Sequence, residues 1–280
     1  MMYVIAGFAI WALGWLLNVY LANGKSSDHW AMNIGIPLIF GLTILLVWEC
    51  FAIGFEVNPV FLPRPSDIIV RIANEVPRLW ADFFQTIIKG ALTGYIIGGL
   101  AAFAIAVLAD RSEFLTRGVL PVGSFMAALP IVGIAPIFVK WFGSDWESKA
   151  AVVAVMVFFP ILVNAVAGLR DTTSMQRDLM RTYGAGYWPT LFKLRIPAAL
   201  PFIFNGLKIA TTLALIGAIV AEFFGSPTVG MGFRISTSFG QLALDMVWAE
   251  IVIAAIAGSG FYGIVTLIEK GVTFWHPSQR

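Results

Sequence analysis

Residues 150–169 read AAVVAVMVFFPILVNAVAGL, twenty consecutive positions without a charged side chain. A helix of about 20 apolar residues is long enough to cross the hydrocarbon core of a bilayer. Six further stretches share this character, and together the seven are roughly 2–21, 33–55, 86–109, 118–140, 150–169, 200–224 and 246–268. None of them alternates polar and apolar residues as a strand of a membrane barrel does. The sequence therefore predicts an all-α polytopic membrane protein.

The composition excludes most other classes of protein. Of 280 residues, 59% are hydrophobic and 12% are charged, whereas roughly 25% of a soluble domain is charged. The 23 Phe and 10 Trp argue against disorder. The only cysteine, Cys50, cannot form an internal disulfide. His29 and His276 lie apart from each other and from acidic clusters, so no metal site is predicted.

The distribution of Lys and Arg predicts the orientation, because these residues are more frequent in cytoplasmic loops. If the segment 170–199 is cytoplasmic, eleven of the 18 Lys and Arg residues lie on the cytoplasmic side. Seven spans then place the N-terminus outside and the C-terminus in the cytoplasm.

The segment 56–85 alternates charged and apolar residues at helical spacing. A helix is predicted to begin at Pro65 or Ser66. Its apolar side is expected to carry Ile68, Ile69, Ile72, Val76 and Leu79. We expect an amphipathic helix on the outer leaflet rather than a ligand site.

The segment 170–199, RDTTSMQRDLMRTYGAGYWPTLFKLRIPAA, carries seven charges between two apolar stretches. A helix is predicted from Ser174, as N-cap, through Thr182, with an end near Gly184 and a new helix before Pro197. The same segment contains five large apolar residues, Leu179, Met180, Tyr183, Trp188 and Phe192. Apolar residues on an exposed, charged segment indicate that a partner protein binds there.

This segment resembles the coupling motif, the EAA loop, of the membrane subunits of binding-protein-dependent ABC importers. That motif reads Glu-Ala-Ala, three residues, Gly, nine residues, Ile, one residue, Leu-Pro. Here Asp178-Leu179-Met180 occupy the first three positions, Gly184 follows at the motif spacing, and Leu194, Ile196 and Pro197 complete it. The departures are Leu179 and Met180 in place of two alanines, which would fill a socket on the partner differently.

Three other stretches resemble the nitrate/sulfonate/taurine branch of the same family. They are Phe61-Leu62-Pro63-Arg64-Pro65-Ser66, then Leu129-Pro130 with Pro136 and Phe142-Gly143, and lastly Ala221-Glu222-Phe223-Phe224-Gly225 with Gly230-Met231-Gly232. The first apolar stretch precedes all of them. We therefore expect residues 1–24 to be an additional N-terminal transmembrane helix and residues 25–280 to form a type I ABC importer transmembrane domain of about six spans.

The resemblance implies a permease subunit of an ATP-driven importer in the bacterial inner membrane. The chain has no Gly-x-x-x-x-Gly-Lys-Ser/Thr phosphate-binding loop, so it is not expected to be an enzyme, and ATP and Mg would be bound by the partner ATPase. The implied partners are two ATPase subunits, an extracytoplasmic solute-binding protein, a second copy of the chain and membrane lipid, with no nucleic acid. The residues expected to couple to the ATPase are Arg177, Asp178, Leu179, Met180, Arg181, Tyr183, Gly184, Ala185 and Tyr187.

The residues predicted for the translocation pathway are Asn164, Ala214, Gly217 and Glu222. Small residues let helices approach closely, so Ala214 and Gly217 predict either a pathway seam between two copies or packing within one chain. Asn164 is predicted to bind another helix or the solute, and Glu222 to form part of a gate or a structural network. Lys208 is either a pathway cation or extends to the inner surface. Arg234 would contact an anionic solute or pair with Asp245 or Glu250.

A stand-alone secondary transporter or channel is the alternative. It would need repeated halves or a chain of buried acids through the membrane, and the sequence shows neither. The sequence does not identify the solute. Members of the branch carry nitrate, sulfonates or taurine, and its near neighbours carry small heterocycles such as pyrimidine-type thiamin precursors.

Overall fold

A computed structural model of the chain describes residues 1–23, 30–112, 117, 118, 121–123, 130–225 and 228–275. Within these residues every regular element is helical. The helices are α1 (Met2–Ala22), α2 (Trp30–Gly54), α3 (Pro65–Asn74), α4 (Val76–Phe83), α5 (Thr93–Asp110), α6 (Ile131–Phe142), α7 (Trp146–Arg170), α8 (Ser174–Thr182), α9 (Tyr187–Thr190), α10 (Ile196–Glu222), α11 (Met231–Gly240) and α12 (Leu244–Val272). Two π-helical segments, Phe84–Leu92 and Leu191–Arg195, lead into α5 and α10.

Six helical segments are long and apolar enough to cross a membrane: Met2–Ala22, Met32–Gly54, Val76–Asp110, Trp146–Arg170, Tyr187–Glu222 and Leu244–Val272. They confirm six of the seven predicted stretches. The seventh, 118–140, lies partly outside the described residues, and its described part contains the shorter apolar helix α6.

The chain divides into two compact units. The first comprises Met1–Pro77 and Ile235–Ile251, and α1 packs along α2 within it. Gly7 permits this approach, because a Cβ atom there would lie 2.6 Å from the ring of Phe51. Whether α1 is an addition to the family core stays a prediction.

Helix α3 begins at Pro65, as predicted. Glu49 accepts hydrogen bonds from the Ser66 backbone and hydroxyl at 3.0 and 2.8 Å, so its carboxylate binds the N-terminus of α3. The single apolar side predicted for this region is wrong, because the backbone departs from helix at Glu75 and α4 begins at Val76. Ile68 is buried, whereas Ile69 is exposed.

The second unit comprises Arg78–Arg234 and Val252–Arg280, and α7 lies at its centre between α5 and α10. Gly94 and Gly98 bring α5 against α7, since a Cβ atom at either glycine would lie 2.4 Å from a backbone oxygen of α7. Gly217 does the same for α10, where a Cβ atom would lie 2.7 Å from the sulfur of Met156. Backbones approach this closely in membranes through small residues.

Candidate functional site

The segment 170–199 forms two short helices, α8 and α9, joined by a turn. Thr173 caps α8, since its hydroxyl accepts from the Gln176 backbone at 3.2 Å and the Gln176 side chain accepts from the Thr173 backbone at 2.9 Å. The predicted helix is confirmed, and its cap lies one residue before the predicted Ser174. Gly184 has φ +69° in the turn, where a left-handed conformation ends α8.

Helix α8 presents an apolar stripe, which we define as Met175, Leu179 and Tyr183. These residues follow each other at intervals of four, so they share one helix face. Their exposed fractions are 81%, 56% and 80%. The same helix also carries the polar residues Gln176, Arg177 and Asp178, and Arg177 donates to Thr172. A surface of this kind buries its apolar residues when a partner binds.

The other residues predicted to couple to a partner differ in exposure. Met180 and Ala185 are half-buried, and the Ala185 backbone donates to the Met180 carbonyl at 3.0 Å. Asp178 and Arg181 form an exposed ion pair at 3.4 Å. An exposed pair of this kind contributes about 0–1 kcal/mol to stability.

Tyr187, one of the residues predicted to couple to the ATPase, is half-buried and contacts the end of α5. Its hydroxyl donates to Asp110 at 3.1 Å, and the Arg111 guanidinium lies 4.3 Å from the centre of its ring. The same guanidinium lies 4.5 Å from the ring of Trp188. Tyr187 therefore holds α9 against the end of α5.

Asp110 and Arg195 form a bidentate ion pair at the end of α5. Both nitrogen–oxygen distances are 2.6 Å, and the side chains of Arg195 and Asp110 are 15% and 3% exposed. Arg195 also donates to the Leu169 carbonyl near the end of α7 at 3.1 Å. The ion pair therefore joins the segment 170–199 to two long helices, and a displacement of the segment would be transmitted to both.

Glu222 lies in a buried polar network at the opposite end of α10. Its carboxylate accepts from the Thr86 hydroxyl at 2.8 Å and from the Gly232 backbone at 2.7 Å. The Met231 backbone donates to Thr86 at 2.8 Å. Glu222 thus fixes the N-terminus of α11 on the π-helical segment before α5. These contacts agree with a structural network, one of the two roles predicted for Glu222.

Asp82 completes this network. Its carboxylate accepts from the Gly230 backbone at 2.6 Å and from Arg234 at 2.8 Å. Arg234 therefore pairs with Asp82, a partner that the sequence did not indicate. Asp245 accepts from Arg71 at 2.8 Å instead. Two carboxylates from distant positions, Asp82 and Glu222, therefore hold the same turn by its backbone amides.

The residues predicted for the pathway have different environments. Ala214 is fully buried, and Gly217 faces Val153 and Met156 of α7. In this conformation the small residues of α10 serve packing within one chain, the alternative left open by the sequence. Asn164 donates to the Pro160 carbonyl at 2.8 Å and accepts from Asn205 at 3.0 Å.

Lys208 forms an ion pair with Glu269 at 2.8 Å. Both side chains are mostly buried. This pairing differs from the predicted pathway cation, and the extension of Lys208 to the inner surface stays a prediction. Burial favours such pairing because an unpaired charge inside an apolar region is costly.

Groups of acidic, histidine or cysteine side chains suited to a metal ion are not found within the residues that the structure describes. His29 and His276 lie outside them. Leu129 of the motif ending in Phe142-Gly143 also lies outside them.

A family model described as "Binding-protein-dependent transport system inner membrane component" matches residues 94–274. The chain therefore belongs to this family, and it is a multi-pass inner-membrane permease subunit of an ABC importer of the nitrate/sulfonate/taurine branch.

Curated relatives match nearly the whole chain. The formylaminopyrimidine transport permease protein of Halalkalibacterium halodurans is 30% identical over 87% of this chain and 96% of its own length. The taurine transport system permease protein of Escherichia coli is 27% identical over 93% and 98%. The putative aliphatic sulfonates transport permease protein of Bacillus subtilis is 26% identical over 91% of each chain. The relatives agree in being transport permeases and differ in the solute that their names give.

Proposed function

We propose that the segment 170–199 lies in the cytoplasm and receives a partner ATPase on the apolar stripe of α8. The observation that carries this proposal is the apolar stripe exposed on α8, in a segment that the buried ion pair between Asp110 and Arg195 joins to α5. The stripe supplies an apolar surface for binding. The ion pair connects the segment to α5, and the hydrogen bond from Arg195 to the Leu169 carbonyl connects it to α7.

The working importer then contains two copies of this chain, two ATPase subunits and an extracytoplasmic solute-binding protein. A two-fold pair is the commonest closed assembly of identical chains. ATP and Mg bind to the ATPase subunits, and hydrolysis takes place there. The N-terminus lies outside and the C-terminus inside, which requires that the stretch 118–140 crosses the membrane.

The solute is a small molecule delivered by the binding protein. Relatives named for formylaminopyrimidine, taurine and aliphatic sulfonates support a small polar organic solute. A relative named for bicarbonate extends the range to an inorganic anion. The fold therefore accommodates several solutes, and the binding protein makes the first selection.

Leu179→Glu is expected to weaken association with the ATPase about thirtyfold, as the loss of a central apolar interface residue does. The substitution places a charge in the middle of the stripe, where the partner would exclude water. Association is measured by titrating the purified ATPase subunit onto permease in lipid nanodiscs. The control is Phe61→Glu, since Phe61 is exposed and apolar but lies outside the segment. Equal affinities for both variants would contradict the proposal.

Gly184→Val is expected to weaken the same association about tenfold, because a left-handed conformation costs a residue with a side chain about 1–2 kcal/mol. The substitution creates no steric clash, as no atom lies within 4 Å of a Cβ built at Gly184. Gly186→Val is the matched control. Gly186 also faces open space, but its φ is −73°, so valine adopts this conformation without strain. A similar loss in both variants would show that the turn conformation is not what matters.

A further inference from the structure

One face of α10 is exposed along three turns. Asn205, Ile209, Thr212 and Ile216 are all exposed, and they follow each other at intervals of three or four residues. Residues at this spacing share one helix face. We call these four residues the polar strip, after its two hydrogen-bonding members. The strip does not include Ala214 and Gly217, which pack on α7.

Asn205 is joined to Asn164 of α7 within the apolar part of both helices. The Asn205 amide donates to the Asn164 side-chain oxygen at 3.0 Å. Asn164 lies six residues before Arg170, the last residue of α7, which is about 9 Å along the helix axis. The pair of amides is therefore placed inside the hydrocarbon region rather than at its surface.

An exposed amide at this depth does not suit contact with lipid. Polar side chains in membrane helices face the interior of the bundle or a water-filled cavity. An asparagine side chain can form up to four hydrogen bonds, and among the described residues Asn205 forms the one to Asn164. Because Asn205 is exposed, its remaining hydrogen-bonding capacity is accessible. Thr212 adds a hydroxyl two turns further along the same face.

The charge next to the strip is neutralised. Lys208 lies one turn from Asn205, and its ammonium group is 2.8 Å from the Glu269 carboxylate. A paired ammonium attracts a solute anion much less than a free one does. The strip therefore offers neutral hydrogen-bond donors and acceptors.

We propose that the polar strip, together with Asn164, lines the solute route and contacts the solute through hydrogen bonds rather than ion pairs. The proposal rests on the proposed function as an importer permease and adds which helix face the solute meets. It assigns the route to the exposed face of α10 instead of the face that carries Ala214 and Gly217. The occupant is water and a polar, hydrogen-bonding solute.

Thiol labelling tests this without knowledge of the solute, because a thiol reacts as its thiolate, which forms in water and not in lipid. The background is Cys50→Ser, and the test variants are Asn205→Cys and Thr212→Cys. The probes are water-soluble methanethiosulfonates, one anionic and one cationic, applied to the permease–ATPase complex in nanodiscs. Both variants are expected to react at least about tenfold faster than the controls.

Two matched controls define the alternatives. Ala210→Cys tests the buried face of the same helix, and Leu100→Cys tests an exposed apolar position on α5. If Asn205→Cys does not assemble, Thr212→Cys carries the test alone. Labelling no faster than at Leu100→Cys would show a lipid-facing strip and would overturn the proposal. Spontaneous disulfides between two copies at position 205, without labelling, would show a protein seam and would also overturn it.

The two probes report the charge of the route. The ratio of anionic to cationic labelling rates is expected to lie within about threefold of the ratio for a small free thiol. A preference of more than about tenfold for either probe would contradict a neutral lining. Binding of the ATPase is measured on the same samples. Failure of the unmodified chain to bind the ATPase would count against the proposed function, whereas unreactive cysteines in an intact complex would overturn only the polar strip.

Discussion

Asp110→Ala is expected to lower the free energy of unfolding by about 3–5 kcal/mol, because it leaves a buried guanidinium without its carboxylate. Arg195 would lose both 2.6 Å contacts and keep only its hydrogen bond to the Leu169 carbonyl. The measurement is thermal unfolding of the purified protein in detergent, followed by intrinsic fluorescence.

The control for this variant is Asp178→Ala. It removes the exposed ion pair with Arg181, which contributes less than about 1 kcal/mol. The double variant Asp110→Leu with Arg195→Met is expected to recover much of the lost stability, since an apolar pair avoids the cost of burying charge. Equal destabilisation by Asp110→Ala and Asp178→Ala would contradict the importance of the buried pair.

Gly232→Ala is expected to destabilise the protein by about 3 kcal/mol, as inserting an atom into a well-packed region does. A Cβ atom at Gly232 would lie 2.1 Å from the Ile219 carbonyl oxygen and 2.9 Å from the Glu222 side chain. The backbone at Gly232 must then move, which breaks its 2.7 Å hydrogen bond to Glu222. Thermal unfolding in detergent measures the loss.

Gly240→Ala is the matched control for Gly232→Ala, because it lies on the same helix, α11, and no atom lies within 4 Å of its Cβ position. Alanine there is expected to change the midpoint of unfolding by less than about 2 °C, since small substitutions at open surface positions change stability by about 0.5 kcal/mol at most. Similar shifts for both variants would show that the network around Glu222 is not a principal source of stability.

Local sequence rules were sufficient for the segment 170–199. A capping residue and a glycine predict α8 and its end, because both depend on neighbours in sequence. Of the exposed stripe, Leu179 and Tyr183 were indicated by the sequence, whereas Met175 was not. The long helices follow in the same way from the length of their apolar stretches. The break at Glu75 was not predicted, because the apolar pattern of 56–85 continues across it.

Contacts between distant residues could not be predicted in this way. Arg234 pairs with Asp82, 152 residues away, whereas the sequence favoured acidic residues nearer along the chain. Nothing in the sequence indicated that Asp110 would pair with Arg195 or that Glu269 would pair with Lys208. The sequence identified a face of small residues on α10, including Ala214 and Gly217, but only the packing against α7 shows that this face is buried within the chain.

Crosslinking from position 179 tests whether the stripe on α8 binds an ATPase. A photoreactive phenylalanine analogue is incorporated at Leu179, and intact membranes are irradiated. If the ATPase binds the stripe, we expect a covalent adduct with a subunit that carries a Gly-x-x-x-x-Gly-Lys-Ser/Thr loop. The adduct is identified by mass spectrometry. The same analogue at Phe61 serves as the control and is expected to give no such adduct. Crosslinks from position 179 only to lipid or to a second copy of this chain would contradict binding of the ATPase to the stripe.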